Sequence, residues 1–256
     1  MNDLTLVKIL ITPILMVAIS CASRVWGGSI GGLLAGLPIT SGPISIYFAA
    51  EQGIDFAIEA ARSSIVGVNS VIAFYIMYVI SASSLSAAIT VMVSCSAFML
   101  SSTILYAVNA TMAVAIMIAM AAIVLLLKVC SKRQSCNSKI IYAAWDLPAR
   151  IAASTAMVLL LTWFANVIGP KFSGLLAPVP VIAWPLLVFA HVQKGASEAT
   201  DVVAGTAVGL VGIVVFYTIV YYALARYGMA LAYGAALSAS VLVTLPFAWY
   251  EARRRT

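Results

Sequence analysis

Charge is what this chain has least of. Only 9% of its 256 residues are Asp, Glu, Lys or Arg, where a soluble domain carries about 25%. Such a chain cannot cover itself with a hydrated surface, which excludes a water-soluble globular fold. Histidine is nearly missing, since His191 stands alone, so no HExxH metal site can form. No P-loop occurs either, which removes the usual route to nucleotide hydrolysis. No enzymatic activity, no metal and no cofactor are expected. The four cysteines, Cys21, Cys95, Cys130 and Cys136, stand singly without a CxxC spacing and read as free thiols.

What is present is apolar. Hydrophobic residues make up 64% of the chain and mean hydropathy is +1.10. Apolar runs of about 20 residues fit transmembrane helices, whereas barrel strands would alternate over about 10. The predicted fold is an all-α integral membrane protein of about nine spans. Spans 1 to 3 cover residues 4–23, 29–50 and 55–81. Residues 84–129 are too long for one span at about 1.5 Å per residue and divide near Asn109 into spans 4 and 5. A basic loop, 130–146, follows, and then spans 6 to 9 at 147–168, 172–192, 197–225 and 228–249. The run from Leu4 to Ala22 lacks a basic leader, with Asp3 before it and Lys8 inside it, so a retained helix is expected rather than a signal peptide.

One stretch occurs twice, at a constant offset that carries Gly32 onto Gly174. Under that offset Gly32-Leu33-Leu34-Ala35, Pro38, Pro43, Gly53, Ala57, Val66-Gly67 and Phe74-Tyr75 recur unchanged, the last pair as Phe216-Tyr217. Shared apolar composition would not hold two prolines and three glycines in register. The chain therefore reads as a first membrane repeat (1–107), a linker helix with the basic loop (108–146) and a second repeat (147–256). A four-span unit repeated after one extra crossing inserts upside down. Basic residues agree: the central loop, the C-terminus and the Arg24 and Lys194 loops fall on one side with 10 of the 14 Lys and Arg. By the positive-inside rule that side is cytoplasmic, which predicts a multi-pass protein of a bacterial inner membrane with its N-terminus periplasmic and its C-terminus cytoplasmic. The net charge of +6 thus reflects membrane topology, and nucleic acid is not an expected partner.

Chemistry is expected where the spans are interrupted. A proline inside a helix removes one backbone bond and clashes with the preceding turn, so spans 2 and 7 should break at Pro38/Pro43 and Pro180/Pro185. Irregular backbone at membrane depth is tolerated only inside protein or beside a wet cavity, and paired broken helices in inverted halves mark a transporter's binding site. Packing kinks are the alternative. Thr40 and Ser41 would offer polar contacts in one half, and Trp184 an aromatic wall in the other. Asn69, deep in span 3, suits either substrate or a neighbouring helix. Glu59 and Asp201 coincide under the offset, either as proton-titrating groups or as carboxylates at headgroup level near helix N-termini. Lys8 and Arg150 also coincide, and snorkelling to the interface is preferred over attracting an anion. His191 reads as an interfacial side chain. Gly205, Gly209 and Gly212 form a small-residue stripe suited to close helix packing.

The pattern Gly174-Leu-Leu-Ala-x-x-Pro180, Phe189-Ala190-His191 and Lys194-Gly195 resembles the GlpM family of small bacterial inner-membrane proteins over about 50 residues of each half. That resemblance implies a membrane role linked in one member to exopolysaccharide production. The chain departs from the family in being duplicated, and a looser similarity joins it to LrgB-type proposed exporters. Two functions follow as expectations. The first is a secondary transporter of a small solute or ion, working by alternating access between the halves. The second is a non-transporting membrane partner for envelope polysaccharide or lipid handling. The expected partners are the lipid bilayer and a small-molecule or ion substrate, with a homodimer left open.

Overall fold

The computed structural model describes residues 3–39, 41–108, 110–132, 147–156 and 182–254. All regular structure among them is helical. In chain order these are α1 (Asp3–Trp26), α2 (Gly28–Gly36), α3 (Ser41–Tyr47) with a π-helical turn at Phe48–Gln52, α4 (Ile54–Ser81), α5 (Ala87–Val108), α6 (Met112–Ser131), α7 (147–156), α8 (Ala183–Lys194) and α9 (Ala196–Arg254). Five segments among the described residues are long and apolar enough to cross a bilayer: Gly28–Ala50, Ile54–Ser81, Ala87–Val108, Met112–Ser131 and Ala196–Trp249. The last is long enough for two crossings. Gly228, at φ 74, interrupts it, and Ser240 and Thr244 then return against Gly212. We call its two parts α9a and α9b.

Two helices form the buried axis, and they run in opposite directions. The Tyr75 hydroxyl of α4 lies near Thr206 of α9a, while that of Tyr217 of α9a lies near Ser64 of α4. Rising numbers on one helix therefore meet falling numbers on the other. Helix α6 gives the same polarity. Arg62 in the third turn of α4 donates to the Ala110 carbonyl just before α6, and Asn69, further along α4, donates to Ala115, further along α6. Asp201, in the same early part of α9a, lies instead near Cys130 in the last turn of α6. Phe74, Tyr75 and Tyr78 on α4, and Phe216 and Tyr217 on α9a, are fully buried.

The outer helices face the other way chemically. On α5 and α6, Met92, Met99, Leu100 and Met117 are exposed, as are Leu231, Leu242 and Leu245 on α9b. Water would not tolerate such a belt, and lipid does. This is a membrane protein.

Glycines set the tightest approach. Gly28, Gly32 and Gly36 line the face of α2 that crosses Gly205 and Gly209 of α9a. A Cβ on Gly32 would run into the Val202 carbonyl, and one on Gly205 into the Ser29 carbonyl. No hydrophobic force drives helices together in lipid, so close backbone contact over small residues supplies the attraction. The stripe expected at Gly205 and Gly209 has this role, while Gly212 packs against α9b. In consequence α2, from the first half of the sequence, is wedded to α9a, from the second.

Two backbone landmarks correspond under the repeat offset. Gly53 and Gly195 adopt φ 93 and φ 83, a region that favours glycine, and separate the shorter helix from the long one that follows. The helices around them start in step: α3 at Ser41 and α8 at Ala183, α4 at Ile54 and α9 at Ala196.

Candidate substrate site at the broken helices

Pro38 ends α2. Having no N–H, it cannot bond back to the Leu34 carbonyl, which instead accepts from Leu37 N at 3.4 Å. Leu37 is extended, at φ −73 and ψ 157, as the residue before a proline should be. The chain restarts at Ser41, with Gly42 N donating to the Pro38 carbonyl at 2.9 Å. The Leu37 side chain lies beside Gly212, midway along α9a, so the interruption sits deep in the bundle.

The second proline of each pair behaves differently from the expectation. Pro43 is the third residue of α3 and Pro185 the third of α8. In a first turn the backbone N–H is an orphan in any case, so proline is tolerated there without breaking anything. Pro43 and Pro185 start helices. Thr40 and Pro180 lie outside the described residues, and so does the side chain of Lys8, a residue of α1.

Ser41 is buried at the first position of α3, and its Oγ meets no hydrogen-bond partner. The Tyr217 hydroxyl lies near Ser41 and Ser64, is fully buried, and makes no hydrogen bond of good geometry with either. Ser64 Oγ donates down its own helix to Ala60 O at 2.8 Å. Below them Tyr233 of α9b clasps α3, donating to Ser45 O at 2.7 Å with Ser45 Oγ at 3.0 Å. Five hydroxyls thus converge on the start of α3, and those of Ser41 and Tyr217 have unused capacity. A buried hydroxyl left unpaired costs about 1–3 kcal/mol, which is unusual to retain without a use for it.

Across the axis the corresponding positions carry other chemistry. Tyr75 lies near Thr206, whose hydroxyl donates to Val202 O at 2.9 Å, and the Tyr75 hydroxyl is also unpartnered. The repeat offset carries Ser64 onto Thr206 and Tyr75 onto Tyr217. Where α3 has Gly42, α8 has Trp184. Its ring stacks on Phe74 at 4.5 Å and 18° and meets Phe98 edge-on at 6.2 Å. The Trp184 Nε1 donor is buried without a partner. Gly42 faces Phe216, the residue matching Phe74.

The remaining candidates fall elsewhere. Asn69 is buried on the other face of α4 and bridges to α6, its Nδ2 donating to Ile65 O at 3.0 Å and Ala115 O at 3.1 Å. Glu59 forms an ion pair with Arg62 at 2.8 Å, and the same guanidinium reaches Ala110 O. That pair ties α4 to the turn before α6 near one end of the bundle, and Asp201 lies near the other. Arg150 is 3% exposed and sits over the Phe189 ring at 5.7 Å, an aromatic face on which a guanidinium can stack. His191 lies near the end of α8. It is buried, with Nδ1 at 3.0 Å from the Tyr78 hydroxyl.

Sequence reasoning missed Tyr75 and Tyr217 as site residues. They were visible as identities of the repeat, and the signal was their polar tip in an otherwise apolar run. No protein-family model, no curated protein and no solved structure matches the chain.

Proposed function

We propose that this chain is a secondary transporter of a small solute, working by alternating access around the broken helix. The observation that carries the reading is the deep interruption at Pro38, where Ser41 Oγ and the Tyr217 hydroxyl are buried and unpartnered. Unpaired hydroxyls beside a helix break are what a solute would satisfy on binding. Support for an inverted-repeat architecture comes from the opposite directions of α4 and α9a and from the paired Gly53 and Gly195 breaks. The two sites of crossed Tyr and Ser or Thr, each built from both halves, fit a pseudo-twofold axis between them. In this reading the GlpM-like stretches are the two solute-facing breaks, and the protein resides in a bacterial inner membrane with its N-terminus outside.

The test is a cysteine-accessibility scan of residues 36–45 and 182–187 in a variant without native cysteines, reconstituted in liposomes. A transporter predicts water-soluble thiol reagents reaching residues on the Ser41 face and, from the partner break, those near Trp184. If every position is sealed, the breaks are packing kinks and the non-transporting membrane partner becomes the better reading.

A further inference from the structure

The matching positions of the two halves differ at one contact in a way that gives the protein a handle for pH. His191 near the end of α8 and Tyr78 on α4 are both buried, with 3.0 Å between Nδ1 and the hydroxyl and their rings edge-on at 5.6 Å. Their counterparts under the repeat offset are Ala49 and Val220, both buried and neither ionisable. Of the two corresponding places, one thus carries a pair with a titratable member and the other carries only apolar side chains.

We infer that His191 is the proton-binding group that decides which end of the bundle opens; this rests on the transporter reading above. While the imidazole is neutral, Tyr78 and His191 share one hydrogen bond across the α4–α8 contact and no charge is buried. On protonation the bond can reverse, with Nδ1–H donating to the tyrosine oxygen and the Ala82 backbone as a further partner, but a cation is then held at a buried contact. A buried charge without a counter-ion is strongly disfavoured, and parting α8 from α4 relieves it by admitting water. Among the described residues, the charged groups nearby are engaged elsewhere or are themselves positive. Lys194, one turn along α8, is occupied with Glu198 of α9a at 2.9 Å, and Asp201 of α9a lies towards Cys130 of α6. Arg150 of α7, above Phe189, adds a second positive charge. Helices α2 and α5, which also pack on α8, carry no acidic or basic residue. A ligand moves a two-state equilibrium only by binding the states unequally, and here the ligand is a proton whose site exists at one end alone.

Chain flexion at this contact can be read directly. Ile80 and Val192 are exposed, close in sequence to Tyr78 and His191. Spin labels at Ile80→Cys and Val192→Cys, in the full chain with its native cysteines replaced, report the α4–α8 distance in lipid nanodiscs. Between about pH 8 and about pH 5, either side of the ordinary histidine range, the short-distance population should give way to a longer one. His191→Asn should abolish that shift while retaining the short distance. A distance that ignores pH in the wild type, or a shift that survives in His191→Asn, overturns the inference. Should that variant not fold, the single imidazole can be followed by NMR in the wild type, where a ring that stays neutral throughout the range has the same consequence. A pH-dependent distance together with sealed break residues would retain the latch and remove transport; a pH-independent distance with accessible break residues would do the reverse.

Discussion

The start of α3 and the start of α8 occupy corresponding places and are built from opposite materials. At the first, Gly42 leaves room beside Phe216, and hydroxyls from Ser41, Ser45, Ser64, Tyr217 and Tyr233 gather. At the second, Trp184 fills the same room and stacks on Phe74. The long helices behind them keep their chemistry: Tyr75 and Thr206 mirror Tyr217 and Ser64. Divergence has therefore fallen on the short helices, and the scaffold they pack against has been retained. In the transporter reading proposed above, the hydroxyl end and the aromatic end would hold the polar and apolar faces of a single solute.

Several substitutions press on that contrast. Trp184→Ala should empty the space over Phe74 and Phe98 and destabilise the protein by about 3–5 kcal/mol, read as a large fall in unfolding temperature in lipid or detergent. Gly42→Ala should cost under about 1 kcal/mol, because a Cβ there meets only ordinary van der Waals contacts, at 3.6 Å from Leu237 and 3.7 Å from Phe216. Equal losses from the two would erase the distinction between the ends. Next comes Tyr217→Phe, which removes an unpartnered hydroxyl and should stabilise the protein by about 1 kcal/mol while abolishing solute-dependent protection of a reporter cysteine at the break. Loss of stability there would mean that the hydroxyl serves the fold. Tyr233→Phe is its control: it breaks two bonds to Ser45 and should cost about 1–2 kcal/mol. Smallest is Glu59→Gln. The ion pair with Arg62 is part-exposed, so stability should change by less than about 1 kcal/mol, and the pH response of the α4–α8 distance should persist.

How far the sequence speaks depends on the kind of signal. Helices in lipid must satisfy their own backbone, so apolar runs and prolines place α4, α5, α6 and the interruption at Pro38 directly. The small-residue stripe at Gly205 and Gly209 was legible because glycines one helical turn apart leave few other uses. Its partner, Gly28-Gly32-Gly36, was less so, because nothing in a linear pattern says that α2 crosses α9a of the other half. Exchange between halves also hides Tyr75 and Tyr217, since each hydroxyl acts only beside residues of the opposite half. His191 reads as interfacial from its isolation, and its burial comes from Tyr78, 113 positions back. Pro43 and Pro185 show the limit of counting prolines, since the same residue breaks a helix in mid-run and starts one in its first turn.

Paired ends of this kind require the two breaks to face opposite sides of the membrane. Asp55 and Ser197 correspond under the repeat offset, just after Gly53 and Gly195. Both lie outside the break, and each can be replaced by cysteine in a chain without native thiols. With a membrane-impermeant reagent applied to one face at a time, Asp55→Cys should react only from the outside and Ser197→Cys only from the inside. Labelling of both from the same face would contradict the inverted arrangement and, with it, the paired ends.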